Sequence, residues 1–363
     1  MKIFLLILTL SILYQANANK SENIDLDSIA HPTVYLTENI DILSDEQLFS
    51  HYHKLMKKKE KYELLSDEGV KRFNIFKSNL VEIREHNADK TNTYSKGITF
   101  YTDLTEQEFY EDRNMITRIP VERKNEEVIK LEQKRLLQEQ EPEKLGAPFK
   151  PLDWRAKKGV NVPLSSPSGC ETSAHFSFVA ALETCYFAKT GQLPKLSYQQ
   201  VMDCHPTKCA NFPPAEYKYF LDSGIQAEAT YPYSGKGNLP CQYNPAKAVA
   251  KPKAWAYRQW LFKWDAQSSY ANLQHCPYVA IQGFRTPRDY AGGIYSPPDC
   301  SPTSYYNLIT VVGYGIDKGE EYWIVNIHYG DWWGDKGFLK VKRRDDQSSC
   351  GVAGNSWSRP TFD

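Results

Sequence analysis

The stretch SGCETSAHFSF, from Ser168 to Phe178, decides how the rest of the chain is read. A glycine turn leads into Cys170, and three residues later Ser173 opens an apolar run, Phe176 to Leu182, that can wind as a buried helix. A side chain on the first turn of such a helix sits at the positive end of the helix dipole. That position lowers a thiol's pKa and favours an anion. It is an address for a nucleophile, and its occupant is a serine.

Outward from this stretch, the chain runs to 363 residues with 41% hydrophobic and 13% aromatic content, enough for about two or three folding units. Its 44 basic and 44 acidic residues cancel. No net field draws nucleic acid or an anionic membrane, so a nucleic-acid partner is not expected. All eight cysteines follow residue 169, with neither a CxxC pair nor a clustered Cys/His set. This pattern implies an oxidising compartment, with no metal and no cofactor expected.

At the amino terminus, Met1-Lys2 precedes the apolar run IFLLILTLSILY, and Ala16-Asn17-Ala18 supplies small residues for cleavage. Residues 1–18 read as a cleaved secretory signal, since a spanning helix needs ~20 apolar residues. No later stretch is apolar enough to span a bilayer, so the mature chain is expected to enter the secretory pathway and work outside the cell or in a lysosome-like vesicle. Two helices are expected between 45 and 89. Ser44 or Asp45 caps the first, with Leu48, Phe49, Tyr52 and Leu55 at helical spacing; the second begins at Asp67 and carries Glu68, Arg72, Phe76, Asn79, Ile83 and Asn87. Residues 121–146 mix both charges without an aromatic residue and show only a weak repeat in Val128, Leu131 and Leu136. They read as a solvated helix or linker, with a partner-binding helix as the other reading. Helical periodicity dominates 173–222, whereas 278–343 breaks into short β-type runs such as YVAIQGF and LITVVGYG. The expected class is α+β: a helical lobe followed by a twisted antiparallel sheet or barrel.

Asp153-Trp154-Arg155, the Cys170 turn and the FSF start of the helix resemble the papain-like cysteine peptidases, cathepsin type. The same order of markers continues through Tyr198 to Cys204, Tyr231-Pro232-Tyr233, Gly292-Gly293-Ile294-Tyr295, Val312-Gly313-Tyr314-Gly315 and Trp333 to Phe338. The six spaced residues of the second helix resemble the family's inhibitory propeptide, and GITFYTD, 97–103, followed by LTEQEF, 104–109, resembles the strand and short helix that end it, with Thr99 and Tyr101 where Asn and Phe are usual. The resemblance implies a propeptide over 19–146, its inhibitory part about 45–110, held in cis against a two-lobed peptidase domain over 147–363. It also implies bridges Cys170 with Cys209, Cys204 with Cys241, and Cys300 with Cys350. Cys185 and Cys276 are left over and read as buried free thiols; Cys185 lies ~18 Å along the helix from Ser173 and cannot stand in for it.

The chemistry implied by the family needs a thiolate, an imidazole, a side-chain carbonyl to orient it and an oxyanion donor. The matching positions hold Ser173, Asn307, Ile327 and Pro167. Asn307 cannot exchange a proton near neutral pH, Ile327 orients nothing, and Pro167 has neither a side-chain amide nor a backbone N–H. Glu171, Asn211 and Phe212 replace small residues that in the family flank the substrate, so the cleft is expected to be narrowed or reshaped. His175, two residues beyond Ser173, points ~200° round the helix and reads as a packing residue. His328, one residue past Ile327, is the rescue candidate for a divergent serine hydrolase. The favoured expectation is a papain-fold pseudoprotease that binds a protein or peptide; a self-associating structural protein is a third reading, without a repeat to support it.

Overall fold

The computed structural model describes residues 25–117, 119–120, 150–167, 170–209, 213–258, 266–301, 304–344, 348–353 and 357–362. The expected signal, the 121–146 segment, Asn211 and Phe212 lie outside them. The described residues form two compact units. One runs to Phe109 and includes Pro287–Gly293 and Trp332–Lys336; the other takes Tyr110–Thr286, Ile294–Asp331 and Gly337 onward.

In the first unit the helices Pro32–Glu38, Asp45–Leu55 and Asp67–Ala88 enclose Leu36, Leu48, Phe49, Phe76, Leu80 and Ile83. Ser44 caps the second in a capping box, its hydroxyl accepting from the Gln47 N–H while the Gln47 side chain accepts from the Ser44 N–H. The six spaced residues of the long helix divide the labour. Phe76 and Ile83 are fully buried. Arg72 pairs with Glu68 at 2.6 Å and Glu108 at 2.8 Å and donates to the Asp103 carbonyl. Asn79 donates to the carbonyls of Thr102 and Leu104, and Asn87 both donates to and accepts from the Lys96 backbone.

These side-chain bonds explain a correction. The strand lies at Tyr94–Lys96, ahead of the expected 97–103, which instead turns around the buried carboxylate of Asp103. Tyr52, Tyr62 and Lys58 donate to that carboxylate at 2.7, 2.8 and 3.0 Å. Helix side chains take backbone groups that a strand ladder needs. Thr99 donates to the Arg288 carbonyl at 3.0 Å and Thr102 to the Asp289 carboxylate at 2.7 Å. Tyr94–Lys96 pairs antiparallel with residues 290–293. Gly293 has φ +84° there, and a Cβ on it would lie 2.6 Å from the Tyr94 Cα, so only glycine fits.

The second unit is built on the helix Ser173–Thr190, buried at every residue from Ser173 to Cys185. A helix apolar all round belongs inside. Its side chains Phe176, Phe178 and Leu182 share a core with Val279, Ile281 and Leu308 of the sheet. Helices Tyr198–Cys204, Pro213–Ser223 and Ala266–His275 follow. In the sheet, Asn307–Asp317 is central. On one side lie Glu320–Asn326, Phe338–Lys342 and residues 294–295; on the other lie Tyr278–Gln282, Trp357–Thr361 and Ala254–Arg258. All neighbours run antiparallel except 294–295 on Phe338–Lys342. Among the described residues the two ends of this order do not pair, so the α+β expectation stands with an open sheet in place of a barrel.

Cys170–Cys209, Cys204–Cys241 and Cys300–Cys350 are bridged as the resemblance implies. The reading of Cys185 and Cys276 as free thiols is corrected: they form a fourth disulfide with Cα atoms 5.0 Å apart. Cys276 directly follows the helix Ala266–His275 and is packed there against the central helix. With the two cysteines 91 positions apart in sequence, no local pattern could announce it.

Ten residues after Ser173, Glu183 is buried, accepting from the Leu196 N–H at 2.8 Å and the Tyr198 hydroxyl at 3.3 Å. Burial pushes its carboxyl up to about 7 from an ordinary 4.5, against the pull of those bonds. The folded state therefore keeps a proton that the unfolded chain releases, and the stability this gives is full below pH 4.5 and is lost as pH rises to about 7. Glu183→Gln is expected to flatten the dependence of melting temperature on pH across that window. An equally steep profile in the variant would assign the dependence elsewhere.

Candidate functional site

Ser173 starts its helix beside Thr172, so its side chain points from the first turn as the sequence implied. It is 9% exposed, and its hydroxyl accepts a hydrogen bond from the Leu308 backbone N–H at 3.1 Å. Leu308 follows Asn307 at the start of the central strand, which brings the serine and asparagine positions together. Ile327 comes one residue after the neighbouring strand Glu320–Asn326 and is 2% exposed. Ser166, next to half-buried Pro167, donates its N–H to the His328 carbonyl at 3.0 Å. Ser173 and Asn307 thus meet through Leu308, and Pro167 and Ile327 each adjoin a partner of the Ser166–His328 bond.

His328 is held differently from what a hydrolase requires. Asn326 folds back to accept the His328 N–H at 2.9 Å, placing His328 at φ +62°, a local turn that asparagine side chains promote. The ring lies against Phe176, with Nε2 3.3 Å from the Thr310 hydroxyl and Nδ1 without a hydrogen-bond partner among the described residues. Neither ring nitrogen bonds Ser173. Complete burial drives the imidazole down to about 3, leaving a very weak base. His175 is also wholly buried and held down to about 3, first by burial and then by His205, with the His205 ring 5.1 Å away. It is a core residue, as its helical phase indicated. Glu171 is exposed.

What the sequence reading missed is a segment of the same unit that runs over this site. Asn307 Nδ2 donates to the Arg113 carbonyl at 3.0 Å. The Arg113 guanidinium donates to the Ser166 carbonyl at 3.2 Å and lies 5.5 Å from the Tyr329 ring centroid. Met115 is fully buried among Gln282, Thr286 and Tyr329, and its carbonyl accepts from Arg285 Nε at 3.1 Å. Farther on, Ile119 and Pro120 pair antiparallel with Tyr305 and Ser304. Arg113 and Met115 are thus buried in a turn whose carbonyls the site grips, and Ile119–Pro120 is held by strand pairing as an extended peptide is held. Only Pro120, which biases its predecessor to extended backbone, hinted at this. Among the described residues no group of three or more His, Cys, Asp or Glu side chains could hold a metal, and no helix is long and apolar enough to cross a membrane.

Comparison with known proteins gives the same outline. The profile of the papain family cysteine proteases matches residues 149–359, and that of the cathepsin propeptide inhibitor domain (I29) matches residues 51–109. The chain is 30% identical over 327 residues to a cathepsin L-like proteinase of Phaedon cochleariae, covering 86% of this chain and 93% of that one. It is 30% identical over 308 residues to pro-cathepsin H of Bos taurus, with 79% and 83% covered. Among solved structures, digestive procathepsin L 3 of the Tenebrio molitor larval midgut superposes with a TM-score of 0.70 at 24% identity, covering 88% of this chain and all of that one. At that identity the superposition speaks for the fold.

Proposed function

The chain belongs to the papain family of cysteine proteases and is built with a cathepsin propeptide inhibitor domain, and we propose that within this family it is a pseudoprotease, binding a protein or peptide without cutting it. The observation that carries this reading is Asn307: at the position of the family's imidazole stands an amide that donates to the Arg113 carbonyl. It holds the overlying segment and has no proton to exchange. The neighbouring residues support the same reading. The Ser173 hydroxyl is engaged by a backbone N–H, Ile327 has nothing with which to orient a base, and Pro167 offers no oxyanion donor.

The alternative, a hydrolase rebuilt from Ser173 and His328, requires a serine–histidine hydrogen bond. The His328 ring is turned to Thr310 instead. The four disulfides favour an oxidising compartment along the secretory route. Without activity of its own the chain cannot trim itself, so residues 19–146 stay attached unless another protease cuts near Gly146.

Labelling tests the proposal. The purified chain, intact and nicked within 121–146 by an added protease, is treated in parallel with an epoxide cysteine-protease probe and a fluorophosphonate serine-hydrolase probe. Neither is expected to label. Fluorophosphonate labelling that disappears in Ser173→Ala would replace the proposal with a serine hydrolase.

A further inference from the structure

Met115 is fully buried, and three donors face its sulfur: the Tyr329 hydroxyl at 3.3 Å, with Gln282 Nε2 and the Thr286 hydroxyl each at 3.6 Å. A thioether is a weak acceptor for so many donors. Gln282, itself fully buried, also donates to the Phe284 carbonyl at 2.9 Å, and its Oε1 has no hydrogen-bond partner among the described residues. The Thr286 hydroxyl also has the Tyr329 oxygen as an acceptor at 3.5 Å, so what the thioether leaves poorly matched is the second Gln282 N–H and the Gln282 Oε1, and a buried polar group left unmatched is costly. An aliphatic occupant matches neither. A carboxylate takes the donors but faces Gln282 Oε1 with another acceptor, and an ammonium group brings donors to donors. A primary carboxamide supplies both halves, and glutamine does so on an unbranched stem about as long as that of methionine.

We infer that this hole is a carboxamide-binding subsite, and that the partner peptide of this site presents a glutamine side chain there, with Met115 as a weaker occupant in cis. The inference rests on the reading of the site as a peptide-binding groove and adds its preference. The contacts from Asn307 and Arg285 and the pairing at Ser304–Tyr305 grip main chain, so they hold an extended peptide of any sequence. Gln282 is the cross-strand partner of Asn307, which places the selective contact beside the main-chain one.

The test uses the full chain with its own segment as reporter. Hydrogen exchange of the amides in 113–119 is followed in the wild type, Met115→Gln and Met115→Leu. Exchange is expected to slow roughly fivefold in Met115→Gln and to quicken by a similar factor in Met115→Leu, the effect of about one buried hydrogen bond. In a Gln282→Leu background the advantage of glutamine over leucine at 115 should vanish. If Met115→Leu protects the segment as well as Met115→Gln, or if Met115→Gln fails to fold, the subsite is not built for a carboxamide. This ordering is independent of turnover: its failure leaves the pseudoprotease reading standing, and Ser173-dependent hydrolysis would leave the ordering standing.

Discussion

Asp103→Ala is expected to destabilise the first unit by about 3–5 kcal/mol, because it strands a buried charge. Lys58 and Asp103 are each 2% exposed and 3.0 Å apart. The Lys58 ammonium also donates to the Phe100 carbonyl and lies 3.9 Å from the Phe100 ring centroid. Neither contact replaces a counter-charge, and Tyr52 and Tyr62 would lose their acceptor too. Replacing both charges, Lys58→Met with Asp103→Asn, should recover much of the loss, since the residual penalty is that of a polar group and no longer of an ion. Urea unfolding of the two variants decides this. A single-variant cost below about 1 kcal/mol would mean that water reaches Lys58 and that the pair is not a buried one.

Ser173→Cys is expected to restore a better nucleophile and no measurable turnover of a fluorogenic peptide. A thiol gains reactivity from its place on the first helical turn, but proton transfer to the leaving amine has no donor at Asn307. General acid–base assistance is worth typically ~100 to 10,000-fold, and an oxyanion donor ~100 to 1,000-fold. On the pseudoprotease reading both are missing, and Arg113 and Met115 still cover the site. The deficits of one catalytic unit do not add, yet either alone hides a slow reaction. Hydrolysis by Ser173→Cys after nicking within 121–146 would show that some other residue, with His328 the first to test, supplies the proton.

Much of this molecule was legible in its residues because the informative features are local or strongly periodic. The largely apolar helix after Ser173, the Ser44 cap, the polar residues spaced along Asp67–Ala88 and the short apolar runs after 278 each announce their element through short-range rules. The features that escaped depend on distant segments meeting. The Cys185–Cys276 bridge joins residues 91 apart. The strand that the resemblance implies at 97–103 lies earlier, at Tyr94–Lys96, because Asn79, Asn87 and Asp103 impose turns through side-chain bonds. The hole around Met115 brings Tyr329 to Gln282 and Thr286, and Tyr329 lies 43 positions beyond Thr286. His328 was weighed as a base from its position alone; the Asn326 turn that swings it towards Thr310 exists only in the folded chain.

The central claim is that no hydrolytic chemistry survives at Ser173. Its most direct test is turnover of casein and a fluorogenic peptide by the wild-type chain nicked within 121–146, side by side with Ser173→Ala prepared identically. The account predicts the same background rate from both proteins, with circular dichroism showing both folded. A wild-type rate that rises above background and is lost in Ser173→Ala would contradict it.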